Sequence, residues 1–167
     1  MEVTEDQVET DFGKHLTYGI VHKEPCALII PWDGNHLFLV GQYRYPVNEY
    51  SWEFPQGHFE HESILETAKH ELKEETGLTA SGIKDIAVFN LAPGHHSQKY
   101  HVFLATELVE GESKHEESEE GMKTKKVSFD EFREMIANGE ILDGPTIVAF
   151  GIINAKNLLT AKKLYVE

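Results

Sequence analysis

Residues 62–78 of this 167-residue chain read ESILETAKHELKEETGL, and this stretch decides the fold. Ser63, followed three residues later by Glu66, forms the capping-box pattern that begins a helix. Gly77 is the residue type that most often ends one, because it adopts the left-handed backbone conformation without strain. The stretch therefore predicts a helix from about Ile64 to Thr76, with both of its ends defined by local sequence.

The predicted helix carries carboxylates on a side where solvation alone does not require them. At about 100° per residue, four residues form an apolar stripe. They are Ile64, Leu65, Ala68 and Leu72. Glu71 and Glu75 fall at the edge of this stripe and not on the opposite, polar face, and Glu74 lies just outside them. A solvated charged face would place these glutamates elsewhere on the helix.

This arrangement of glutamates is unfavourable for an isolated helix. Glu71 and Glu75 are four residues apart, so their charges repel each other. Glu74 and Glu75 also occupy the last turn, where the helix dipole disfavours anions. Several local conflicts at one place indicate a compensating partner. Closely spaced carboxylates select a hard cation, and we expect Mg²⁺, with Mn²⁺ as the other candidate.

With these residues in register, the chain resembles the Nudix hydrolases. The family signature runs Gly, five residues, Glu, seven residues, Arg-Glu, an apolar residue, any residue, Glu-Glu, any residue, Gly and an apolar residue. The positions that match are Glu62, Glu71, Leu72, Glu74, Glu75, Gly77 and Leu78. The chain departs from the signature at two points: four residues separate Gly57 from Glu62, and His70 stands where the family has arginine. An imidazole replaces a permanently charged guanidinium only conditionally.

Four further stretches are similar to the ADP-ribose pyrophosphatase branch of that family. They are QYRYP at 42–46, WEFPQG at 52–57, APG at 92–94 and GEILD at 139–143. The resemblance implies that Arg44 contacts the phosphates of the substrate. It also implies a metal site formed by Glu71 and Glu75, with Glu74 and the backbone carbonyl of Gln56. Gln98 departs from the branch, which often carries glutamate there.

The candidate substrate-binding residues are Arg44, Tyr43, Trp52 and Glu53. Arg44 and the two aromatic residues have ordinary structural alternatives. An arginine on a strand is commonly a surface residue or an ion-pair partner. Alternating aromatic residues more often pack in a sheet than stack on a nucleobase.

The resemblance also implies a further glutamate, from an acidic loop at about residues 110–121, that assists catalysis. The candidates for the catalytic base are Glu120, then Glu119 and Glu117, with Glu74 on the helix as the remaining one. The alternative for the loop is a solvated run of charge. A loop-borne base has a physical rationale, because closure positions it only when substrate is present.

Composition excludes several classes of protein. The net charge of −14 disfavours non-specific binding to nucleic acid or anionic membranes, which requires excess Lys and Arg. No apolar run approaches the ~20 residues that cross a bilayer. The acidic stretch 1–11 lacks a signal-peptide pattern, and with the single cysteine, Cys26, this favours a cytoplasmic protein. The scattered histidines, without cysteine partners, disfavour zinc.

The remaining pattern of strands and helices predicts one α/β sandwich over residues 1–167. The resemblance implies that this sandwich has the Nudix-type α/β/α form with a mixed sheet. Residues 1–15 are expected to form a flexible or dimer-forming N-terminal arm. Residues 26–32 and 36–45 read as two strands of a hairpin around Asp33-Gly34-Asn35. Further strands are expected near 16–22, 51–54, 83–90, 100–108 and 122–127. Helices are expected from Ser128 to about Asn138 and from Pro145 to about Lys162.

The expected activity is Mg²⁺-dependent hydrolysis of the pyrophosphate bond of a nucleoside diphosphate derivative. What the resemblance implies most directly is ADP-ribose as substrate, with AMP and ribose 5-phosphate as products, and a homodimer. Two alternatives stay open at this point. The first is another Nudix substrate, such as GDP-mannose, another nucleotide sugar or a dinucleoside polyphosphate. The second is a non-catalytic sensor of a nucleotide sugar, which usually lacks the glutamates that this chain keeps.

Overall fold

A computed structural model describes residues 1–60, 62–111 and 121–159 of the chain. In these ranges the chain forms nine strands and three helices. The strands are β1 (Glu2–Glu9), β2 (His15–His22), β3 (Cys26–Pro31), β4 (His36–Arg44), β5 (Glu49–Glu53), β6 (Gln56–His58), β7 (Leu78–Asn90), β8 (Lys99–Glu110) and β9 (Lys123–Ser128). The helices are α1 (Ile64–Thr76), α2 (Phe129–Ala137) and α3 (Gly144–Ala155).

The nine described strands form three sheets. One sheet has the order β6-β3-β8-β7, with β3 and β8 parallel and the other pairs antiparallel. A second has the order β5-β4-β9, and β1 and β2 pair as a separate hairpin. Side chains of β3 alternate between two apolar clusters, since Leu28 and Ile30 pack in the cluster that contains α2 and α3 residues, whereas Ala27 and Ile29 pack against α1. The predicted α/β sandwich with a mixed sheet is confirmed.

Helix α1 has the predicted bounds, and its caps explain why. The Ser63 hydroxyl accepts a hydrogen bond from the backbone N–H of Glu66 at 3.2 Å, and Gly77 ends the helix with a φ of 73°. Ala68 and Leu72 are buried against β3 and β8, as the predicted stripe requires. Leu65 was expected in the same stripe, but its side chain is 37% exposed. The buried face is therefore narrower than the sequence suggested.

The expected hairpin of residues 26–32 and 36–45 is wrong. The turn at Asp33 forms, and the Asp33 carboxylate accepts hydrogen bonds from the backbone N–H groups of Asn35 and His36 at 2.9 and 2.7 Å. However, the chain segments on the two sides of the turn share only the isolated β-bridge between Trp32 and Leu37. Beyond that bridge, β3 joins one sheet and β4 another. The turn residues specify a reversal of the chain but not which sheet each strand enters.

Helix α3 ends earlier than expected, at Ala155 instead of about Lys162. Asn157 adopts a left-handed φ of 52°, and its N–H donates to the Asn154 carbonyl at 3.0 Å. The N–H of Leu158 donates to the Ile153 carbonyl at 3.1 Å, which completes a Schellman motif. Helix α2 begins after Ser128, as predicted. No helix in the described ranges is long and apolar enough to cross a membrane.

Candidate active site

A pocket of about 860 Å³ opens where α1, β4, β6 and the segment before α3 meet. It brings together most of the candidate residues, although they are spread over more than thirty positions of the chain. Those that line it are Tyr43, Arg44, Glu53, Gln56, Glu71, Glu74 and Glu75. The sequence placed these residues on separate elements, and the fold places them around one cavity.

Trp52 is not among the described residues that line this pocket. Its ring contacts the Tyr50 ring edge-on, with centroids 5.9 Å apart, and the Lys125 ammonium lies 5.6 Å from its centroid. It therefore packs on the sheet β5-β4-β9, which was the structural alternative for an aromatic residue here. The candidates Glu117, Glu119 and Glu120 lie outside the described residues.

The carboxylates of α1 are held by defined neighbours. Glu75 is only 2% exposed, and its Oε2 accepts a hydrogen bond from the backbone N–H of Gln56 at 3.0 Å. Glu74 Oε2 lies 2.8 Å from Nδ1 of His70, one turn earlier on the helix. His70, which stands where the family signature has arginine, therefore contacts one of the carboxylates beside it in the signature.

Gly57 gives the Glu71 carboxylate its space. A Cβ atom at position 57 would overlap the carboxyl group of Glu71. Position 57 therefore requires glycine because of this close approach, since the glycine shows no unusual φ.

The donor set of the pocket suits a hard divalent cation. Carboxylate oxygens from α1 and the backbone of Gln56, which β6 carries beside Gly57, are the oxygen ligands that such an ion prefers. In the described part of the chain, no three His, Cys, Asp or Glu side chains already form a group that could hold a metal ion. The fit thus rests on the type of donor and on the space that Gly57 provides.

Arg44 lines the pocket and forms an ion pair with Glu53. Its Nε donates to Glu53 Oε1 at 2.9 Å, and its terminal nitrogen Nη2 donates to Glu53 Oε2 at 2.5 Å. Glu53 is 1% exposed, whereas the Arg44 side chain is 41% exposed. Burial raises the pKa of Glu53, an effect that the hydrogen bonds and charge of Arg44 only partly offset. Arg44 stays protonated, because guanidinium groups keep their proton in proteins. A buried carboxylate therefore holds a cation at the pocket wall.

Asp143 is a pocket residue whose contacts the sequence did not reveal. Its Oδ2 accepts from the backbone N–H of Thr146 at 2.8 Å, as the N-cap of α3, and from Gln56 Nε2 at 3.1 Å. Gln56 Nε2 also donates to Glu53 Oε2 at 2.8 Å. An aspartate before Gly-Pro was a usable signal for a helix N-cap. Nothing local indicated that the same carboxylate would meet Gln56, 87 positions earlier.

The floor of the pocket is made of groups that do not ionise near neutral pH. Burial raises the pKa of the Cys26 thiol to about 12, although a hydrogen bond with Tyr100 opposes the shift. Burial, together with Cys26, also raises the pKa of the Tyr100 phenol. Gln98 is buried and donates from Nε2 to the Glu24 carbonyl at 3.0 Å. The charged groups of the pocket therefore lie elsewhere on its lining, and they include the α1 carboxylates, Arg44, Glu53 and Asp143.

The walls combine two complementary functions. Three carboxylates of α1 can attract a cation, and Arg44 can attract an anion, in the same cavity. A cation held by the carboxylates and the guanidinium would both face an anionic group placed between them. Such a pocket can bind a polyphosphate despite the strongly negative charge of the whole chain.

Comparison with known proteins is consistent with this geometry. The sequence model of the family described as NUDIX domain matches residues 22–149. The chain is 32% identical over 161 residues to an ADP-ribose pyrophosphatase of Bacillus subtilis (strain 168), covering 95% of this chain and 87% of the relative. It is 31% identical over 156 residues to an ADP-ribose pyrophosphatase of Mycobacterium tuberculosis (strain ATCC 25618 / H37Rv), covering 90% and 74%.

The fold is similar to that of a crystal structure described as an ADP compounds hydrolase. The TM-score is 0.82, and the match covers 92% of this chain and 84% of the other. Sequence identity over that match is 22%, so this likeness concerns the fold alone.

Proposed function

The chain belongs to the NUDIX family and is a Nudix pyrophosphohydrolase, and from that premise we propose that its substrate is ADP-ribose. The products would be AMP and ribose 5-phosphate. The observation that carries the proposal is the shared pocket of Arg44 and the α1 carboxylates, which fits a diphosphate between an arginine and a bound cation. The two relatives named as ADP-ribose pyrophosphatases support this choice of substrate.

The proposed cofactor is Mg²⁺. Nudix hydrolases generally use a divalent metal, and the donors present here are oxygen atoms. Glu71 and Glu75 would hold the ion, with Glu74 and the backbone carbonyl of Gln56 assisting. When bound, it would neutralise the charge of the diphosphate and make a nearby water more acidic.

The protein's own groups would orient the substrate. Arg44, fixed by the buried Glu53, would bind the phosphate oxygens, with two N–H groups committed to Glu53 and the others available to the substrate. Tyr43 lies at the pocket wall and is 53% exposed, so its ring is available to a nucleoside. Its hydroxyl donates to Asn48 Oδ1, which fixes the ring relative to the turn after β4. Trp52 stays in the proposal only as support for this wall.

The reaction is a hydrolysis. The oxygen of a water molecule forms a bond to one phosphorus, and the bond from that phosphorus to the bridging oxygen breaks. The base takes the proton of the water, and the second phosphate leaves as a monoester. We assign the base to Glu120, then Glu119 or Glu117, with Glu74 as the alternative that already lines the pocket.

A panel of nucleotides with Mg²⁺ tests the substrate. The panel contains ADP-ribose, GDP-mannose, another nucleotide sugar and a dinucleoside polyphosphate, and phosphatase-coupled phosphate release measures turnover. The highest kcat/KM is expected for ADP-ribose. A higher value for another compound would reassign the substrate. Binding of ADP-ribose without turnover of any compound would favour the nucleotide-sugar sensor.

We also propose a homodimer in which each subunit helps to form the other's nucleotide pocket. One face of the hairpin β1–β2 carries the exposed side chains of Val8, Leu16 and Tyr18. Apolar side chains of this size on a two-stranded hairpin favour a covering partner. Tyr18→Glu should yield monomers in light scattering and lower activity, whereas Thr17→Glu on the opposite face should not. A monomeric wild type would overturn the proposal.

A further inference from the structure

The segment from Glu140 to Thr146 forms hydrogen bonds with the second half of β5 and with Phe54, the residue after it. Three hydrogen bonds connect this segment to residues 51–54. They join the Trp52 N–H to the Glu140 carbonyl at 3.0 Å, the Leu142 N–H to Ser51 Oγ at 3.1 Å and the Phe54 N–H to Thr146 Oγ1 at 2.9 Å. This segment therefore fixes the position of the strand that carries Glu53.

A chain of side chains continues from this segment into the pocket. Asp143 Oδ2 accepts from Gln56 Nε2 at 3.1 Å, and the same nitrogen donates to Glu53 Oε2 at 2.8 Å. Glu53 in turn accepts two hydrogen bonds from Arg44. Asp143 itself is anchored to the first turn of α3 through the Thr146 N–H at 2.8 Å. The side chains of Asp143, Gln56 and Glu53 thus link the end of a helix to the guanidinium of Arg44 at the pocket wall.

The Gln56 side-chain amide connects Asp143 to Glu53, and it can do so only in one orientation. Its last torsion is soft, because a terminal amide has a broad rotational preference. With one carboxylate on each side, both amide hydrogens are held and the amide plane has one orientation. Without Asp143, the amide can rotate away from Glu53. The buried Glu53 would then lose a donor and the geometry in which it holds Arg44.

We propose that Asp143 and the side chain of Gln56 are positioning residues that fix the Glu53–Arg44 pair in the orientation that receives the diphosphate. This role belongs to the Gln56 side chain and is separate from that of its backbone carbonyl. The proposal rests on the proposed function in one respect, which is that Arg44 contacts the substrate phosphates.

Four variants separate positioning from helix capping. Asp143→Ser keeps a side-chain acceptor for the Thr146 N–H but is too short to reach Gln56. Asp143→Asn keeps an oxygen for both bonds and is the conservative rescue. Gln56→Met removes the amide and keeps the backbone N–H and carbonyl. Ser128→Ala removes the N-cap of α2, outside the pocket, and reports the effect of losing a cap alone.

The first measurement follows the Nε–H of Arg44 by NMR and needs no substrate. The chain has two arginines, Arg44 and Arg133, so Arg133→Lys assigns both signals and Arg133 serves as the internal control. Asp143→Ser and Gln56→Met should each speed hydrogen exchange at the Arg44 Nε–H about tenfold, roughly the worth of one hydrogen bond. Asp143→Asn and Ser128→Ala should stay within about twofold of the wild type. Unchanged exchange in both Asp143→Ser and Gln56→Met would overturn the proposal.

The second measurement is kinetic. Asp143→Ser should raise KM about tenfold and change kcat far less, because a phosphate contact is made before and during the reaction. In an Arg44→Ala background, Asp143→Ser should add less than about twofold. The same tenfold effect in that background would show that Asp143 acts independently of Arg44 and would overturn the proposal. Absence of turnover in the wild type would instead refute the proposed function. The exchange rates would still show whether Asp143 and Gln56 position the Glu53–Arg44 pair.

Discussion

Glu71 and Glu75 occupy positions that are unfavourable for the stability of helix α1. They repel each other at four residues' spacing, and Glu75 lies in the last turn, where the helix dipole opposes a negative charge. Glu75 is also buried, which costs free energy even with the hydrogen bond from Gln56. A bound cation would remove all of these conflicts at once.

Replacing either glutamate with glutamine tests this directly. Glu71→Gln and Glu75→Gln should each abolish turnover, because each loses a metal ligand. Both should melt at or above the wild-type temperature without Mg²⁺, because each relieves repulsion and keeps an oxygen acceptor. Thermal melting with and without Mg²⁺, beside activity, provides the measurement.

Glu66→Gln is the matched control on the exposed face of α1, where Glu66 pairs with Lys69 at 2.7 Å. It should keep full activity and change stability by no more than about 0.5 kcal/mol. Full activity in Glu71→Gln or Glu75→Gln would remove the metal assignment. A large loss of stability would show that these carboxylates are structural.

Gly57→Ala is expected to lower activity more than stability. The added methyl group would overlap the Glu71 carboxylate, which can rotate away only by leaving its place beside the β6 backbone. A displaced group of this kind can cost about 10²-fold in kcat/KM. Gly94→Ala is the control, because a Cβ there meets no atom within 4 Å. Equal activity of the two variants would contradict the role given to Gly57.

At this scale, the sequence predicted residue types and helix faces better than contacts. Helical spacing placed Glu71 and Glu75 at the edge of the buried stripe, because a periodicity is a local property. The donor to Glu75 and the partner of Asp143 both belong to Gln56, which lies 19 and 87 positions away from them. Contacts of that range follow from the arrangement of the sheets, which no spacing along one element contains.

At the scale of elements, ends were predictable where a cap was local. Helix α1 has the predicted bounds because Ser63 and Gly77 adjoin it, and Gly139 follows α2 with a φ of 76°. The end of α3 was missed because asparagine at position 157 is a weaker stop signal than glycine. The acidic residues 2–9 carry no sequence pattern typical of a strand, yet they pair with β2. Most of those side chains are exposed, so the segment lacks the apolar alternation by which strands are recognised.

The turn at Asp33 allows a test of whether a charged turn residue stabilises the fold. Partial burial alone would raise the pKa of Asp33, but the Lys126 ammonium at 2.7 Å and two backbone N–H groups lower it to about 2. A carboxylate with a lowered pKa stabilises the fold above its ordinary value of 3.8, and that contribution is lost as pH falls toward 2. Asp33→Asn should therefore cost about 1 kcal/mol at pH 7 and less at pH 3, measured by urea unfolding.

Asp33→Ala should cost more than Asp33→Asn, because it also removes the acceptor for the Asn35 and His36 N–H groups. That additional loss should persist at pH 3, since those bonds need an oxygen and not a charge. If the difference between wild type and Asp33→Asn were the same at both pH values, the ion pair with Lys126 would not contribute to stability.

At the scale of the whole molecule, charge is the dominant property. The chain carries a net charge of −14, and its pocket contains more carboxylates than cationic groups. A polyphosphate would be repelled by such a protein unless cations were bound where it enters. Charge thus predicts a requirement for a divalent metal that is independent of the signature motif. Removal of Mg²⁺ should abolish substrate binding as well as turnover.

The acidic segment between β8 and β9 in sequence carries the first candidates for the catalytic base. Glu116, Glu117, Glu119 and Glu120 lie outside the described residues, between β8 and β9 in sequence.

If Glu120 is the base, Glu120→Gln should lower kcat by about 10²- to 10⁴-fold, the usual worth of a general base, and change nucleotide and Mg²⁺ binding far less. Single glutamine variants at all four positions should be compared by kcat, with Glu110→Gln at the exposed end of β8 as the charge control. If none of the four loses even tenfold, the loop is a solvated charge run and the base is Glu74, since that carboxylate already lines the pocket.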